Sequence, residues 1–121
     1  MKVLVVEDNV PVRQTIGDVL QIMEHDVTYA ASAEEALELL RAPGSAPDLL
    51  ISDVNLPGLD GASLLRTIQQ RYPHCRGLLT SGLPREHHRL ADAHFMQKPF
   101  TLDQLMDHVQ NVAISFNRAM V

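Results

Sequence analysis

Five short apolar runs alternate along the chain with segments of helical periodicity, and this alternation restricts the fold more than any other feature. The predicted strands are residues 2–7, 27–31, 49–53, 78–81 and 95–97. The predicted helices are residues 10–23, a segment that begins at 33 and stops before 43, residues 62–72, and a last segment from 102. A repeated strand–helix alternation of this kind indicates a parallel sheet with helices on both faces. We therefore predict a doubly wound α/β fold.

Two of the predicted helices begin with a capping box. Ser32 stands three residues before Glu35, and Thr101 stands three residues before Gln104. In this motif the hydroxyl accepts from the backbone N–H three residues on, and the longer side chain reaches back to an N–H at the start of the helix. The two boxes predict where these helices start.

The length and composition fit one globular domain. The 121 residues, of which 45% are hydrophobic, suit a core that buries roughly two thirds of the surface of the unfolded chain. We find no linker, no low-complexity stretch and no second domain in the sequence. We therefore expect residues 1–121 to form a single domain without an output domain.

The net charge and the cysteine content restrict the possible binding partners and the cellular compartment of the protein. The net charge is −5 and no cluster of Lys or Arg stands out, which argues against nucleic acid or an anionic membrane as a direct partner. No run of about 18 apolar residues occurs, so we expect no membrane insertion. Cys75 is the single cysteine, which excludes an internal disulfide and fits a reducing compartment. These features predict a cytoplasmic protein.

Charged and hydroxyl side chains stand where four of the predicted strands end. They are Glu7 and Asp8 after the first strand, Asp53 at the end of the third, Ser81 at the end of the fourth and Lys98 after the fifth. The carboxyl ends of parallel strands meet at one edge of the sheet, where open α/β proteins bind their ligands. We therefore expect these side chains to converge although they lie far apart in the sequence.

Such a cluster suits phosphoryl transfer. Three carboxylates held together repel one another, and a hard divalent cation such as Mg²⁺ relieves that repulsion. Lys98 supplies a point charge for a phosphoryl oxygen, and Ser81 supplies a hydroxyl donor. Asp53, the central carboxylate, is placed as a nucleophile that forms an aspartyl phosphate. The residues by themselves predict reversible phosphorylation of Asp53.

Four stretches resemble the signature of response-regulator receiver domains of two-component signalling, the CheY-like superfamily. They are Glu7-Asp8, residues 53–61 (DVNLPGLDG), Ser81-Gly82 and Lys98-Pro99-Phe100, in the family's order. The resemblance implies a flavodoxin-like sheet of five parallel strands in the order 2-1-3-4-5. It also implies that Asp53 takes its phosphoryl group from a histidine kinase or a histidine phosphotransfer protein, and that a downstream protein effector reads the change. Such a domain modifies itself and is not a turnover enzyme.

The same resemblance, carried over residue by residue, assigns roles to the strand-end side chains. The implied metal site for Mg²⁺, or for Mn²⁺ in its place, is Asp8, Asp53 and the backbone carbonyl of Asn55, with Glu7 acting through water. Ser81 and Lys98 are implied to hold the phosphoryl oxygens. The peptide bond before Pro99 is expected to be cis, which is a rare state.

The segment between the fourth and fifth strands departs from the family pattern. Seventeen positions separate Ser81 from Lys98, about one helical turn fewer than in the family. We therefore predict a shortened or irregular fourth helix, and a diminished form of the dimerisation surface that this helix helps to build in many relatives. Phe95 takes the place of an aromatic residue that changes rotamer with the Ser or Thr of the site, so Ser81 and Phe95 are the implied switch residues.

The resemblance further implies a docking surface for the histidine-bearing partner, made by the first helix and the loop after the fifth strand. Its residues here are Val10, Pro11, Gln14, Thr15, Pro99 and Phe100. For Val10 and Pro11, a purely structural role as the first residues of the helix is an equally good interpretation. Asn55 and Leu83 are implied to flank the approach of water to the acyl phosphate, and the apolar Leu83 favours slow to intermediate hydrolysis.

Two other functions stay open. A degenerate receiver would act as a protein-interaction module without phosphorylation, although the complete set of strand-end residues argues against it. A hydrolase with an aspartyl-phosphate intermediate, such as a haloacid-dehalogenase-like phosphatase, needs a second Asp two residues after its nucleophile, where Asn55 stands. The six histidines, including His87 and His88, do not show the ligand spacing of a structural zinc site.

Overall fold

A computed structural model describes residues 1–88, 90 and 93–119 of the chain, the last three of them only as helical backbone. The elements are β1 (Lys2–Val6), α1 (Val10–Ile22), β2 (Asp26–Ala30), α2 (Ala33–Leu39), β3 (Leu49–Asp53), α3 (Gly61–Arg71), β4 (Arg76–Ser81), β5 (His94–Gln97) and α4 (Leu102–Ala119). Predicted strands and helices are thus confirmed, with most ends displaced by one or two residues and α2 ending at Leu39, before the predicted stop at 43.

The five strands form one parallel sheet in the order β2-β1-β3-β4-β5, which confirms the predicted flavodoxin-like order. β1 lies between β2 and β3, and its Val6 is opposite Ser52. Further along the sheet, Asp53 is opposite Thr80 and Ser81 is opposite Gln97. This register places the carboxyl ends of β1, β3, β4 and β5 next to one another at one edge.

Each face of the sheet is covered by two helices, which form two separate cores. Val3 and Val5 of β1 pack against α1 and α4, whereas Leu4 and Val6 pack against α2 and α3. Because both faces are buried, the strands read as continuous apolar runs rather than as an alternation of apolar and polar residues. In the described part of the chain, no helix combines the length and the apolar character needed to cross a bilayer.

Both capping boxes form, one of them with an altered return bond. The Gln104 N–H donates to Thr101 Oγ1 at 3.1 Å, and the Thr101 N–H donates to Gln104 Oε1 at 2.8 Å. At α2, the Glu35 N–H donates to Ser32 Oγ at 3.1 Å as predicted. The Glu35 carboxylate accepts from the N–H of Ala31, the residue before Ser32, at 3.2 Å.

The β4–β5 loop, residues 82–93, has no α-helix among its described residues. Where the fourth helix was expected, a 3₁₀ turn spans Arg85–His87. Leu90 and Ala93 are buried in the core that α2 and α3 cover, so this end of the loop is packed onto the sheet. For the described residues, the prediction of a shortened or irregular fourth helix is confirmed.

Candidate functional site

Three carboxylates meet at the carboxyl edge of the sheet, and we call Glu7, Asp8 and Asp53 the acidic cluster. Each offers an oxygen, and these oxygens all lie within 4.8 Å of one another. The cause is the register of neighbouring strands, since Glu7 directly follows β1 and Asp53 ends β3. Among the residues that the structure describes, no second group of three or more His, Cys, Asp or Glu side chains could hold a metal ion.

The three carboxylates differ in their access to solvent. Glu7 is buried, Asp53 is partly buried and Asp8 is exposed. Mg²⁺ prefers a few carboxylate oxygens and keeps several of its water molecules. A donor set made only of hard oxygens, and open to water on the side of Asp8, therefore fits this ion.

Lys98 joins two members of the acidic cluster. Its Nζ lies 3.0 Å from Oε2 of Glu7 and 3.0 Å from Oδ2 of Asp53. The Lys98 N–H donates to the carbonyl of Ser81 at 2.7 Å, so the hydrogen-bonded ladder continues past β5. The peptide bond between Lys98 and Pro99 is cis, as predicted.

Two groups of this site, Lys98 and Glu7, have shifted pKa values. Burial by itself lowers the pKa of Lys98, but the hydrogen bonds and charges of Glu7 and Asp53 outweigh it, and the pKa is raised. Burial raises the pKa of Glu7, and the opposing contributions of Lys98 and the Asn9 N–H do not cancel that effect. One ammonium group therefore leaves Glu7 incompletely compensated. An additional cation would favour its ionised form.

Two residues near the start of α1, Asn9 and Arg13, account for the helix cap and for one contact to the Glu7 backbone. Asn9 caps this helix, because its Oδ1 accepts from the Val12 N–H at 3.0 Å, so Glu7 and Asp8 are not needed as caps. Arg13 donates from a guanidinium nitrogen to the Glu7 carbonyl at 2.8 Å. Sequence reasoning missed Arg13, since no strand end or motif pointed to it.

The loop after β3 returns very close to Asp53. The Asn55 N–H donates to Asp53 Oδ1 at 3.1 Å, whereas the metal-binding role of the Asn55 carbonyl stays a prediction. A Cβ at Gly61 would lie 2.2 Å from the Asp53 carbonyl oxygen and 2.9 Å from Ser52 Oγ. Only glycine fits there without a shift of the Asp53 backbone.

The switch residues Ser81 and Phe95 meet at a third residue, His88. Ser81 is fully buried, and its Oγ accepts from the Leu83 N–H at 3.0 Å and lies 2.9 Å from His88 Nε2. Phe95 is partly buried, and its ring centroid is 5.9 Å from that of His88. Sequence reasoning missed His88, for which the pair His87-His88 in an irregular segment was the only signal.

Most of the predicted docking residues share one largely apolar cleft of about 490 Å³ between α1 and the start of α4. The cleft is lined by Pro11, Val12, Thr15, Ile16, Lys98, Pro99, Phe100 and Leu102. Val10 is 60% exposed, and Gln14 is exposed and donates to Asp18 at 2.8 Å. Neither residue lines the cleft, and the docking role of the whole set stays a prediction.

The sequence matches the family described as "Response regulator receiver domain" over residues 3–110. It is 39% identical over 118 residues to the response regulator protein FleR of Pseudomonas aeruginosa, covering 93% of this chain and 24% of FleR. It is 36% identical over 115 residues to the sensor kinase CckA of Brucella abortus, covering 91% of this chain and 12% of CckA. The chain thus spans about a quarter of FleR and about an eighth of CckA.

Two solved structures have the same fold over nearly their whole length. A response regulator receiver domain protein from Clostridium thermocellum superposes with a TM-score of 0.83 at 27% identity, covering 98% of this chain and 96% of that one. The chemotaxis response regulator CheY4 of Vibrio cholerae superposes with a TM-score of 0.79 at 28% identity, covering 92% and 97%. The sheet order and the family match agree with these structures. The chain therefore belongs to the response regulator receiver domain family of two-component signalling.

Proposed function

We propose that this chain is a phosphorylation-dependent signalling switch that accepts a phosphoryl group on Asp53 from a phosphohistidine, in a reaction that needs Mg²⁺. One observation carries the proposal. The Asp53 carboxylate lies 3.0 Å from the Lys98 ammonium, inside a cluster of carboxylate oxygens within 4.8 Å of one another. Such a site presents a nucleophile, a fixed positive charge and the ligands of a hard cation at one point.

The transfer needs no other protein base. The P–N bond of the phosphohistidine breaks, a P–O bond to a carboxylate oxygen of Asp53 forms, and the leaving imidazole takes a proton from solvent. Mg²⁺, when bound by Asp8, Asp53 and the Asn55 carbonyl with Glu7 in reach through water, supplies positive charge for the phosphoryl oxygens. Mn²⁺ shares the preference for oxygen ligands and is expected to substitute.

Lys98 and Ser81 are the proposed ligands of the phosphoryl group. The Lys98 ammonium is shared between Glu7 and Asp53, and a new anionic group on Asp53 would attract it because charge-assisted hydrogen bonds are the stronger ones. The Ser81 hydroxyl is hydrogen-bonded to Leu83 and His88 of the β4–β5 loop, so it has to rotate to reach the phosphoryl group. Its movement, together with that of Phe95, is the proposed conformational signal.

The apolar cleft beside Lys98 is the proposed docking place of a histidine kinase or histidine phosphotransfer protein. Pro99 and Phe100 line it from one side and Pro11 and Thr15 from the other, so a helix that docks there brings a histidine towards Asp53. Apolar side chains exposed around an active site favour a protein contact. Because the chain carries a net charge of −5, we propose that a protein effector, rather than nucleic acid or a membrane, reads the switch.

The proposal is tested by incubating the protein with Mg²⁺ and acetyl phosphate and recording its intact mass. We expect a gain of one phosphate in the wild type, no gain after EDTA and no gain in Asp53→Asn. The matched control is Asp60→Asn, which keeps an acceptor for the Ser63 N–H that Asp60 binds at 2.7 Å and should leave the gain unchanged.

Two outcomes would overturn the proposal. A wild-type protein that gains no mass would favour a non-phosphorylated interaction module. Steady release of inorganic phosphate from a phosphate ester, with turnover above one per chain, would favour the hydrolase.

A further inference from the structure

His88 lies outside the proposed phosphorylation machinery and contacts both switch residues. Its Nε2 lies 2.9 Å from Ser81 Oγ, and its ring packs against that of Phe95 with an interplanar angle of 41°. It follows the 3₁₀ turn of the β4–β5 loop, with its N–H bonded to the carbonyl of Arg85 at 2.9 Å. The loop therefore places an imidazole directly between the hydroxyl and the aromatic ring.

The Ser81 backbone is fixed, so the hydroxyl alone is free to change partner. The Ser81 carbonyl accepts from the Lys98 N–H at 2.7 Å, and the residue pairs with Gln97 in the sheet. Within the described part of the chain, the hydroxyl bonds to the Leu83 N–H and to His88. A hydroxyl has one proton to donate. Because Leu83 is a donor, that proton is available to His88.

We propose that His88 is a positioning residue that accepts the Ser81 hydroxyl proton through Nε2 and thereby competes with the phosphoryl group on Asp53 for it. The inference rests on the proposed function, since it concerns the ligand set of the same phosphoryl group. In the unphosphorylated chain, His88 holds Ser81 to the loop. When Ser81 turns to the phosphoryl oxygen, His88 loses its partner and its ring is free to move away from Phe95.

Burial makes this competition effective. Ser81 is 0% exposed, so water cannot readily replace His88 as the acceptor, and the hydroxyl exchanges one protein partner for another. The net free energy of a neutral hydrogen bond corresponds to roughly a 2- to 10-fold change in an equilibrium or rate. The loop therefore sets how readily Asp53 accepts a phosphoryl group, although it contributes no member of the acidic cluster.

The test compares initial rates of phosphate incorporation from acetyl phosphate with Mg²⁺, all measured at the same mildly alkaline pH. His88→Phe keeps a ring against Phe95 but removes the acceptor, and we expect the rate to rise about 2- to 10-fold. His88→Gln offers an acceptor of similar reach and should stay near the wild-type rate. His87→Phe, the same change at the exposed neighbour, is the matched control and should also stay near it.

A double-mutant cycle separates positioning from a general effect on the loop. In the Ser81→Ala background, His88→Phe should have no further effect, because the hydroxyl for which His88 competes is gone. If His88→Phe does not melt cooperatively, His88→Leu takes its place in the cycle. A nitrogen-15 spectrum of the His88 ring gives a second readout, in which we expect the proton on Nδ1 in the wild type.

The possible failures are distinguishable. An unchanged rate in His88→Phe, or the same increase with and without Ser81, would overturn the inference and leave the proposed function intact. A ring proton found on Nε2 would also overturn it. A wild-type protein that takes up no phosphate would overturn the proposed function and the inference together.

Discussion

The acidic cluster and the β4–β5 loop lie at the same edge of the sheet, yet they are held in different ways. Glu7 and Asp53 follow neighbouring strands, and the ladder between those strands fixes their separation. The described part of the loop has instead one 3₁₀ turn and short-range backbone bonds, such as that from the His87 N–H to the Pro84 carbonyl at 3.0 Å. Among the described residues, its hydrogen bonds to the Ser81 hydroxyl come from the Leu83 N–H and the His88 ring.

The difference separates the chemistry of the domain from its readout. The chemistry depends on strand ends, where a change of backbone position moves several groups at once. The proposed readout would depend on a few side-chain contacts, each of which contributes about 1 kcal/mol. Substitutions near the acidic cluster should therefore have large effects on phosphorylation, and substitutions in the loop should have small ones.

Among these substitutions, removal of the Lys98 side chain is expected to have the largest effect on the rate of phosphorylation. Lys98→Ala deletes the ammonium that bridges Glu7 and Asp53 and should lower the initial rate of phosphorylation by about 100-fold or more, the usual loss for a preorganised charge on the transferred group. Lys2→Ala is the matched control, because the other lysine binds the Gly44 carbonyl away from the site. If the two variants had equal rates, the chemistry would not depend on the bridging charge.

Two glycine substitutions compare the regions directly. A Cβ at Gly61 meets the Asp53 backbone at 2.2 Å, whereas a Cβ at Gly82 meets nothing within 4 Å. Gly61→Ala should lower the free energy of unfolding by about 1–3 kcal/mol through overpacking and should slow phosphorylation. Gly82→Ala should change the free energy of unfolding by about 0.5 kcal/mol or less. Urea denaturation measures both, and equal losses would contradict the contrast between strand end and loop.

A smaller effect is expected at Leu83, on the rate at which the phosphoryl group is lost. Leu83 is 49% exposed and has no group that orients water, so we expect slow to intermediate hydrolysis in the wild type. Leu83→Glu should accelerate the decay by about threefold to tenfold, less than the 10²–10⁴-fold of a fully positioned general base.

The control for Leu83→Glu is the same change at Leu39, an exposed leucine on α2. Decay curves of the phosphorylated proteins, followed after removal of the donor, give both rates. Equal decay in Leu83→Glu, Leu83→Ala and the wild type would remove Leu83 from the control of hydrolysis.

Much of the fold and of the acidic cluster could be predicted because the signals are local. The run that ends at Asp53 is apolar since both faces of its strand are buried, and this pattern is visible in one short segment. The Thr101–Gln104 capping box formed with both of its hydrogen bonds, because the motif depends only on residues at the start of one helix. The shortened or irregular fourth helix in the β4–β5 loop was predicted from the short separation of Ser81 and Lys98 along the chain.

The remaining features could not be predicted, because they join residues whose distance depends on how the chain returns to the sheet. Arg13 bonds to the Glu7 carbonyl, and His88 bonds to Ser81. No periodic pattern in the sequence predicts either contact. The Glu35 carboxylate accepts from the Ala31 N–H, a donor that the capping motif by itself does not specify.

By itself, the sequence determined which residues end the strands, and therefore that carboxylates, a hydroxyl and an ammonium group stand at one edge of a parallel sheet. Only the tertiary structure decided that the Lys98 ammonium lies 3.0 Å from both Glu7 and Asp53, and that the His88 ring lies 2.9 Å from the Ser81 hydroxyl. The physical reason is one of range. Burial and hydrogen bonding within a strand or a helix turn impose a pattern on neighbouring residues, whereas contacts across the sheet and from a loop depend on distances that no local pattern encodes.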